Sequence, residues 1–118
     1  MRPVGHGDVS AAACALLAAP RAARPALLAR LLAQAETADA YRRELGRLHP
    51  LWGNGSLMGA ARGQRRAREP FLDDPDYAAC MVLVFEALVA RHAGAGPNEF
   101  PSDGNNLPAS SRSASALT

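Results

Sequence analysis

The fold is decided by residues 74–92, which read DPDYAACMVLVFEALVARH. Asp74 is a preferred N-cap residue, Pro75 suits the first helical position because its missing N–H needs no partner there, and Asp76 places negative charge in the first turn. The apolar side chains that follow cover most of the circumference of a helix. The pattern therefore predicts a helix from Pro75 to about His92, and predicts that it is the central and most buried helix of the fold.

Two earlier segments have the periodicity of amphipathic helices. The first is predicted over residues 9–18, with Asp8 as its N-cap and Pro20 preventing its continuation. The second is predicted over residues 25–45, with Gly46 as a left-handed stop. The apolar face of the first comprises Val9, Ala12, Ala13, Leu16 and Leu17. That of the second comprises Leu27, Leu28, Leu31, Ala35, Ala38 and Leu45, with Arg42 as the one charged intruder.

A loop is predicted between the second helix and a short third one. It spans residues 47–56, where Pro50 restricts His49 to extended geometry and two glycines permit positive φ. Ser56 then caps a short helix over residues 57–62, which its glycine content makes weak.

Composition favours helices over strands. Only six aromatic residues occur, valine is scarce, and alanine supplies much of the 48% hydrophobic content. The sequence thus predicts an all-α fold, a small bundle of three longer helices plus one short helix around a buried C-terminal helix. This domain covers residues 1–93. Residues 94–118 turn to Gly, Pro, Asn, Ser and Ala, so they are predicted to form a disordered tail.

Several classes of function are disfavoured by composition and motif content. Cys14 and Cys80 lack CxxC spacing, which predicts buried thiols in a reducing cytoplasm. No uncharged run approaches the length of a membrane span. HExxH, GxSxG and phosphate-binding glycine motifs do not occur. We therefore expect a cytoplasmic protein with no membrane association, no cofactor, no metal and no catalytic residue.

The loop over residues 49–56 is the leading candidate contact surface. Trp52 offers a flat apolar anchor, and His49 or Asn54 can orient a polar group of a partner. A structural interpretation explains the same residues, because Trp52 can fill the core, Asn54 can open a tight turn and Ser56 can cap a helix. Both interpretations stay open at this point.

The function favoured by these features is that of a small protein-binding or accessory module without enzymatic activity. Exposed apolar surface around Leu48, Leu51 and Trp52 would serve a protein partner or a second copy of the chain. The residues predicted to contact the partner are His49, Leu51, Trp52 and Asn54.

Nucleic-acid binding is the main alternative. The candidate phosphate contacts are Arg62, Arg65, Arg66 and Arg68, since arginine forks match phosphate oxygens. Against this, the net charge is only +2, no aromatic residue is interleaved among the arginines, and three aspartates follow at positions 73, 74 and 76. An ordinary solvated loop is the competing interpretation.

Two further sites are weaker. The aspartates at 73, 74 and 76 could bind a divalent metal, but a capped helix start explains them and no calcium-loop spacing accompanies them. An enzyme with a site near His49 would require a concave pocket containing that imidazole.

Three stretches carry a resemblance to a known family. They are Met1-Arg2-Pro3 with His6-Gly7-Asp8, then His49-Pro50 with residues 52–58, and finally residues 69–77. Together they resemble a family of short uncharacterised alphaproteobacterial proteins, over residues 1 to about 92. The resemblance implies a helical fold and a bacterial cytoplasm. It carries over no activity and no catalytic residue.

Overall fold

Four α-helices form within residues 1–94, the part of the chain that the computed structural model describes. They are α1 (His6–Leu17), α2 (Arg24–Leu45), α3 (Leu57–Ala61) and α4 (Pro75–Gly94), and a 3-10 turn over Arg21–Ala23 leads into α2. No strand occurs in this range, so the all-α class is confirmed. Apart from Gly94, the predicted tail lies outside the described residues.

Residues Met1–Glu86 form one packing unit, and a second begins at Ala87. The first contains α1, α2, α3 and the opening three turns of α4. The described part of the second continues α4 to Gly94. The predicted domain end at residue 93 stays a prediction.

The interior of the first unit is lined by the predicted faces of α1 and α2. Many of these positions are alanine, whose short side chain lets helices approach closely. Two positions depart from the prediction, since Leu17 is half-buried and Leu45 is exposed. The fully or nearly buried residues of these helices include Val9, Ala12, Ala13, Leu16, Leu27, Leu28, Leu31, Leu32, Ala35 and Ala38.

The start of α1 lies three residues before the predicted one. Gly5 is the N-cap, and Asp8 sits inside the first turn, where its Oδ2 accepts a hydrogen bond from the Gly5 N–H at 2.8 Å. The other oxygen, Oδ1, accepts from the Met58 N–H at 2.9 Å. Asp8 therefore satisfies backbone donors at the starts of both α1 and α3, rather than capping α1 alone.

The short helix α3 is enclosed by its neighbouring helices. Leu57, Ala60 and Ala61 are buried, and α3 packs against both α1 and α2. Its predicted cap is confirmed, because Ser56 Oγ accepts from the Gly59 N–H at 2.9 Å. Tertiary packing thus stabilises a helix of five residues that would not persist alone in water.

The prediction that α4 is the most buried helix is wrong. Up to Ala93, its buried residues are Tyr77, Cys80 and Val84, which share one face. Val82 and Phe85 point away from that face and are each 52% exposed. The apolar composition of α4 all round its circumference gave no way to tell its packed stripe from its exposed one.

Candidate functional site

Three rings meet where the loop over residues 47–56 leaves α2. The His49 imidazole stacks on the Trp52 indole, with ring centroids 4.6 Å apart and planes 5° apart. Tyr41 contacts the same imidazole edge to face, with centroids 4.9 Å apart. Trp52 is half-buried and is not among the core residues, so the interpretation that it fills the core is wrong. Its indole is instead held at the loop by stacking on His49.

His49 also closes the backbone of the loop. Its Nδ1 accepts hydrogen bonds from the backbone N–H groups of Leu51 and Trp52, at 3.0 and 3.2 Å. Its own N–H and C=O pair with the C=O and N–H of Gly53, at 2.9 and 3.1 Å, in an isolated antiparallel bridge. Since Nδ1 accepts, the proton of the neutral imidazole lies on Nε2. One residue therefore fixes the turn with both its ring and its backbone.

Asn54 and Ser56 form the second half of the loop. Asn54 Oδ1 accepts from the Ser56 N–H at 3.0 Å and from the Ser56 hydroxyl at 2.7 Å. Arg42, the charged residue on the apolar stripe of α2, donates from Nε to the Asn54 carbonyl at 3.1 Å. Its presence on that stripe was the sequence signal for a helix-to-loop contact. The predicted turn at Asn54 is confirmed, and its side chain is committed to the turn.

Two leucines stand out from this fixed loop. Leu48 is 62% exposed and Leu51 is 71% exposed. Both line an open depression of about 550 Å³, which His49, Asn54 and Arg62 also line. Of the four predicted partner contacts, Leu51 and Trp52 therefore offer apolar surface, whereas His49 and Asn54 chiefly hold the loop together.

The concavity required by an enzyme near His49 is present in this depression. Ser56 also lines it, but its hydroxyl donates to Asn54 and accepts from Gly59, so it is not paired with the imidazole. A serine nucleophile needs a base within hydrogen-bond reach. The geometry around His49 accordingly supports a structural task rather than an activated hydroxyl.

A second loop, residues 62–74, joins α3 to α4, and its four candidate arginines are all exposed. Arg62, Arg66 and Arg68 line one depression, of about 560 Å³, beside α1. Arg65 lines a different one, of about 260 Å³, formed with α1 and α2. The structure therefore brings three of the four together and separates the fourth.

The neighbouring aspartates are used within the fold. Asp74 Oδ1 accepts from the N–H groups of Asp76 and Tyr77, each at 3.0 Å, which confirms it as the cap of α4. Asp76 accepts from Arg24 and lies 3.3 Å from Arg21. Within residues 1–94 no group of three potential metal ligands comes together.

Arg24 is the residue that sequence reasoning missed. Its side chain is only 8% exposed, and its Nε donates to the carbonyls of Leu16 and Ala19, at 2.8 and 3.1 Å. Its Nη1 donates to Asp76 Oδ1 at 2.8 Å, while Nη2 reaches Leu17 O and Asp76 Oδ2, each at 3.3 Å. One guanidinium thus caps the end of α1 and ties it to the start of α4. The available signal was an arginine at the start of α2, where the helix dipole disfavours positive charge.

The Arg24–Asp76 pair predicts a dependence of stability on pH. The hydrogen bond from Arg24 lowers the pKa of Asp76, against the opposing effect of burial. A carboxyl with a lowered folded pKa adds stability that is fully present above about pH 5 and is lost as the pH falls below about 4. We expect the stability gap between wild type and Asp76→Asn, measured by urea unfolding, to shrink on acidification through that window. A gap that stays constant down to about pH 2.5 would contradict the pairing.

The two thiols lie in the interior, as predicted. Cys14 and Cys80 are free and buried. Burial raises the pKa of both thiols, and Glu69 adds to the rise at Cys14. Because the thiolate is the reactive form, neither cysteine has the environment of a nucleophile.

Comparison with known proteins assigns the chain to a family. A family model described as Domain of unknown function (DUF7742) matches residues 2–88. The chain belongs to this family. The match includes α1, α2, α3, both loops and most of α4, so the DUF7742 domain contains all three depressions and the contacts of Arg24. Comparisons with curated proteins and with solved structures gave no match. No helix within residues 1–94 has the length and apolar character needed to cross a bilayer.

Proposed function

We propose that this DUF7742 protein is a small, non-enzymatic binding module that docks onto a protein partner through the 48–54 loop. The observation that carries the proposal is the pair of leucines, Leu48 and Leu51, held in water by a loop that is closed by its own hydrogen bonds. A folded chain gains nothing by fixing apolar side chains outside its core.

The rigidity of the loop supports recognition in particular. Binding is weakened when a loop must be ordered as the complex forms, so a loop that is already closed loses less entropy. Here the His49 ring and backbone, the Asn54 side chain and Arg42 hold the turn before any partner arrives. The half-buried Trp52 beside the leucines supplies an aromatic anchor of the kind that dominates interface energies.

Replacing both leucines with serine tests the proposal. We expect Leu48→Ser with Leu51→Ser to weaken capture of the partner by about tenfold or more, since each change removes apolar area from the contact. The fold should survive, because both side chains are exposed, and the free energy of unfolding should change by less than about 1 kcal/mol. The measurement is quantitative affinity purification of the intact protein from its own cells, followed by the binding affinity of the purified pair.

A matched control is available on α4. Val82→Ser with Phe85→Ser removes a second exposed apolar pair, well separated along the sequence from the loop. Retention of the partner by the control and its loss from the loop variant supports the assignment. Equal retention by both variants would overturn it. Sedimentation of the purified wild type would show whether the partner is a second copy of the chain.

Nucleic-acid binding through Arg62, Arg65, Arg66 and Arg68 is the second candidate. The observation in its favour is that Asp76 is paired with Arg24, so it offsets less of the charge of these four arginines. This function requires retardation of DNA or RNA that weakens steeply with salt through counterion release. Unchanged mobility at low salt would remove it.

We also propose that the protein acts in the cytoplasm of an alphaproteobacterium. Two free, buried thiols without a disulfide partner suit a reducing compartment. The resemblance in residues 1 to about 92 supports the bacterial source.

A further inference from the structure

We propose that the depression between α1 and the second loop, called here the arginine depression, binds a compact phosphate-bearing anion. It is lined on one side by Ser10 and Cys14 of α1 and on the other by Arg62, Arg66 and Arg68. The arginine depression adjoins the depression that Leu48 and Leu51 line, because Met58 and Arg62 line both, but neither leucine lines it.

Positive charge dominates the lining. Three arginines line the arginine depression with a single acidic residue, Glu69, whose Oε1 accepts a hydrogen bond from the Ser10 hydroxyl at 3.2 Å. Within residues 1–94, Arg62, Arg66 and Arg68 form no ion pair, so their positive charge stays available to a ligand.

The arginine-bearing segment is held in place before a ligand arrives. The Ala67 N–H donates to the Cys14 carbonyl at 3.0 Å, which fixes the backbone between Arg66 and Arg68 against α1. Arg62 Nη2 lies 3.5 Å from Met58 Sδ at the opposite end. A fixed backbone lowers the entropy lost when the side chains converge on an anion.

The ligand class follows from this arrangement. Guanidinium groups match phosphate oxygens in a bidentate manner, and a site with three of them favours a multiply charged anion. A volume of about 560 Å³ exceeds the need of a lone phosphate and falls in the range of small-molecule sites. The arginines converge on a concavity instead of following a stripe, and no aromatic ring lines it for base stacking, so a compact phosphorylated molecule fits better than a nucleic-acid strand.

Titration of the intact chain with inorganic pyrophosphate tests the site. We expect saturable binding with a Kd below about 1 mM, measured by calorimetry. Arg66→Gln with Arg68→Gln should weaken it by about tenfold or more, because two charge-assisted contacts are lost. The control, Arg30→Gln with Arg47→Gln, removes the same charge from exposed positions outside the arginine depression and should bind as wild type does. Circular dichroism verifies that both variants are folded.

Three results would overturn the proposal. The first is absence of saturation at about 10 mM pyrophosphate. The second is an equal loss of affinity in the control, which would reveal a nonspecific effect of net charge. The third is binding of a single-stranded oligonucleotide that pyrophosphate does not displace, which would favour nucleic acid instead. Displacement of the oligonucleotide by pyrophosphate, with loss of both in the Arg66/Arg68 variant, supports the compact site.

Discussion

Replacing Arg24 with alanine is expected to lower the free energy of unfolding by about 3 kcal/mol. The change leaves the carbonyls of Leu16, Leu17 and Ala19 at the end of α1 without the donor that now reaches them. It also removes the main partner of the Asp76 carboxylate at the start of α4. Urea unfolding followed by circular dichroism measures the loss.

Arg21 provides a matched control, because it contacts the same oxygen of Asp76. Its Nη2 lies 3.3 Å from Asp76 Oδ1, but its side chain is 79% exposed. An exposed ion pair contributes little, so Arg21→Ala should cost less than about 1 kcal/mol. Similar losses in the two variants would show that the ion pair, and not the buried capping of α1, carries the effect.

The parts of the fold that the sequence predicted correctly depend on neighbours within a few residues. Gly46 has a φ of +70° at the end of α2, Ser56 caps α3, and Asp74 caps α4. Each signal is read from residue types and spacing inside one turn of helix. The exception is Asp8, whose second oxygen bonds to Met58, 50 residues away. In the same region, α1 begins three residues before the start that its sequence pattern predicted.

Burial of whole helices was less predictable for a related reason. A helix that is apolar on all sides does not specify which stripe will be packed, and up to Ala93 the fully buried residues of α4 are Tyr77, Cys80 and Val84. The helix that packs between its neighbours is instead α3, because its alanines allow α1 and α2 to approach closely. Its sequence predicted only a weak helix. Arg24 and Asp76 are 52 positions apart in the sequence, so no local pattern predicts their hydrogen bond.

The two candidate surfaces were also predictable from the sequence only in part. Exposed apolar surface at Leu48 and Leu51 was predicted, and both side chains are exposed. The stacking of Trp52 on His49 was not, because the ring could be assigned either to the core or to a partner. Likewise, the sequence grouped four arginines that are close in the chain. Only the path of the backbone past α1 shows that Arg65 faces a different depression from the other three.

The largest effect of a single substitution is expected for Gly55→Ala, about 4 kcal/mol of lost stability. Gly55 is buried with a φ of +92°, a conformation that side chains rarely adopt. A Cβ there would lie 2.6 Å from Cα and 2.9 Å from N of Asp39, two backbone atoms of α2. Since a helix backbone cannot move aside as a flexible side chain can, the loop must shift, which would also disturb the Arg2 N–H bond to the Gly55 carbonyl. Thermal and urea unfolding measure the loss.

Gly46→Ala separates the two contributions to the stability lost in Gly55→Ala, which are the backbone conformation and the contact with α2. Gly46 has a φ of +70°, but nothing lies within 4 Å of the position its Cβ would take. It should therefore lose only the conformational contribution, about 1 kcal/mol. A comparable loss in both variants would mean that backbone conformation, and not the contact with α2, makes Gly55 necessary. If the larger loss occurs at Gly55 alone, close approach of the loop to α2 is what holds the leucine surface in place, and partner binding should fall together with stability.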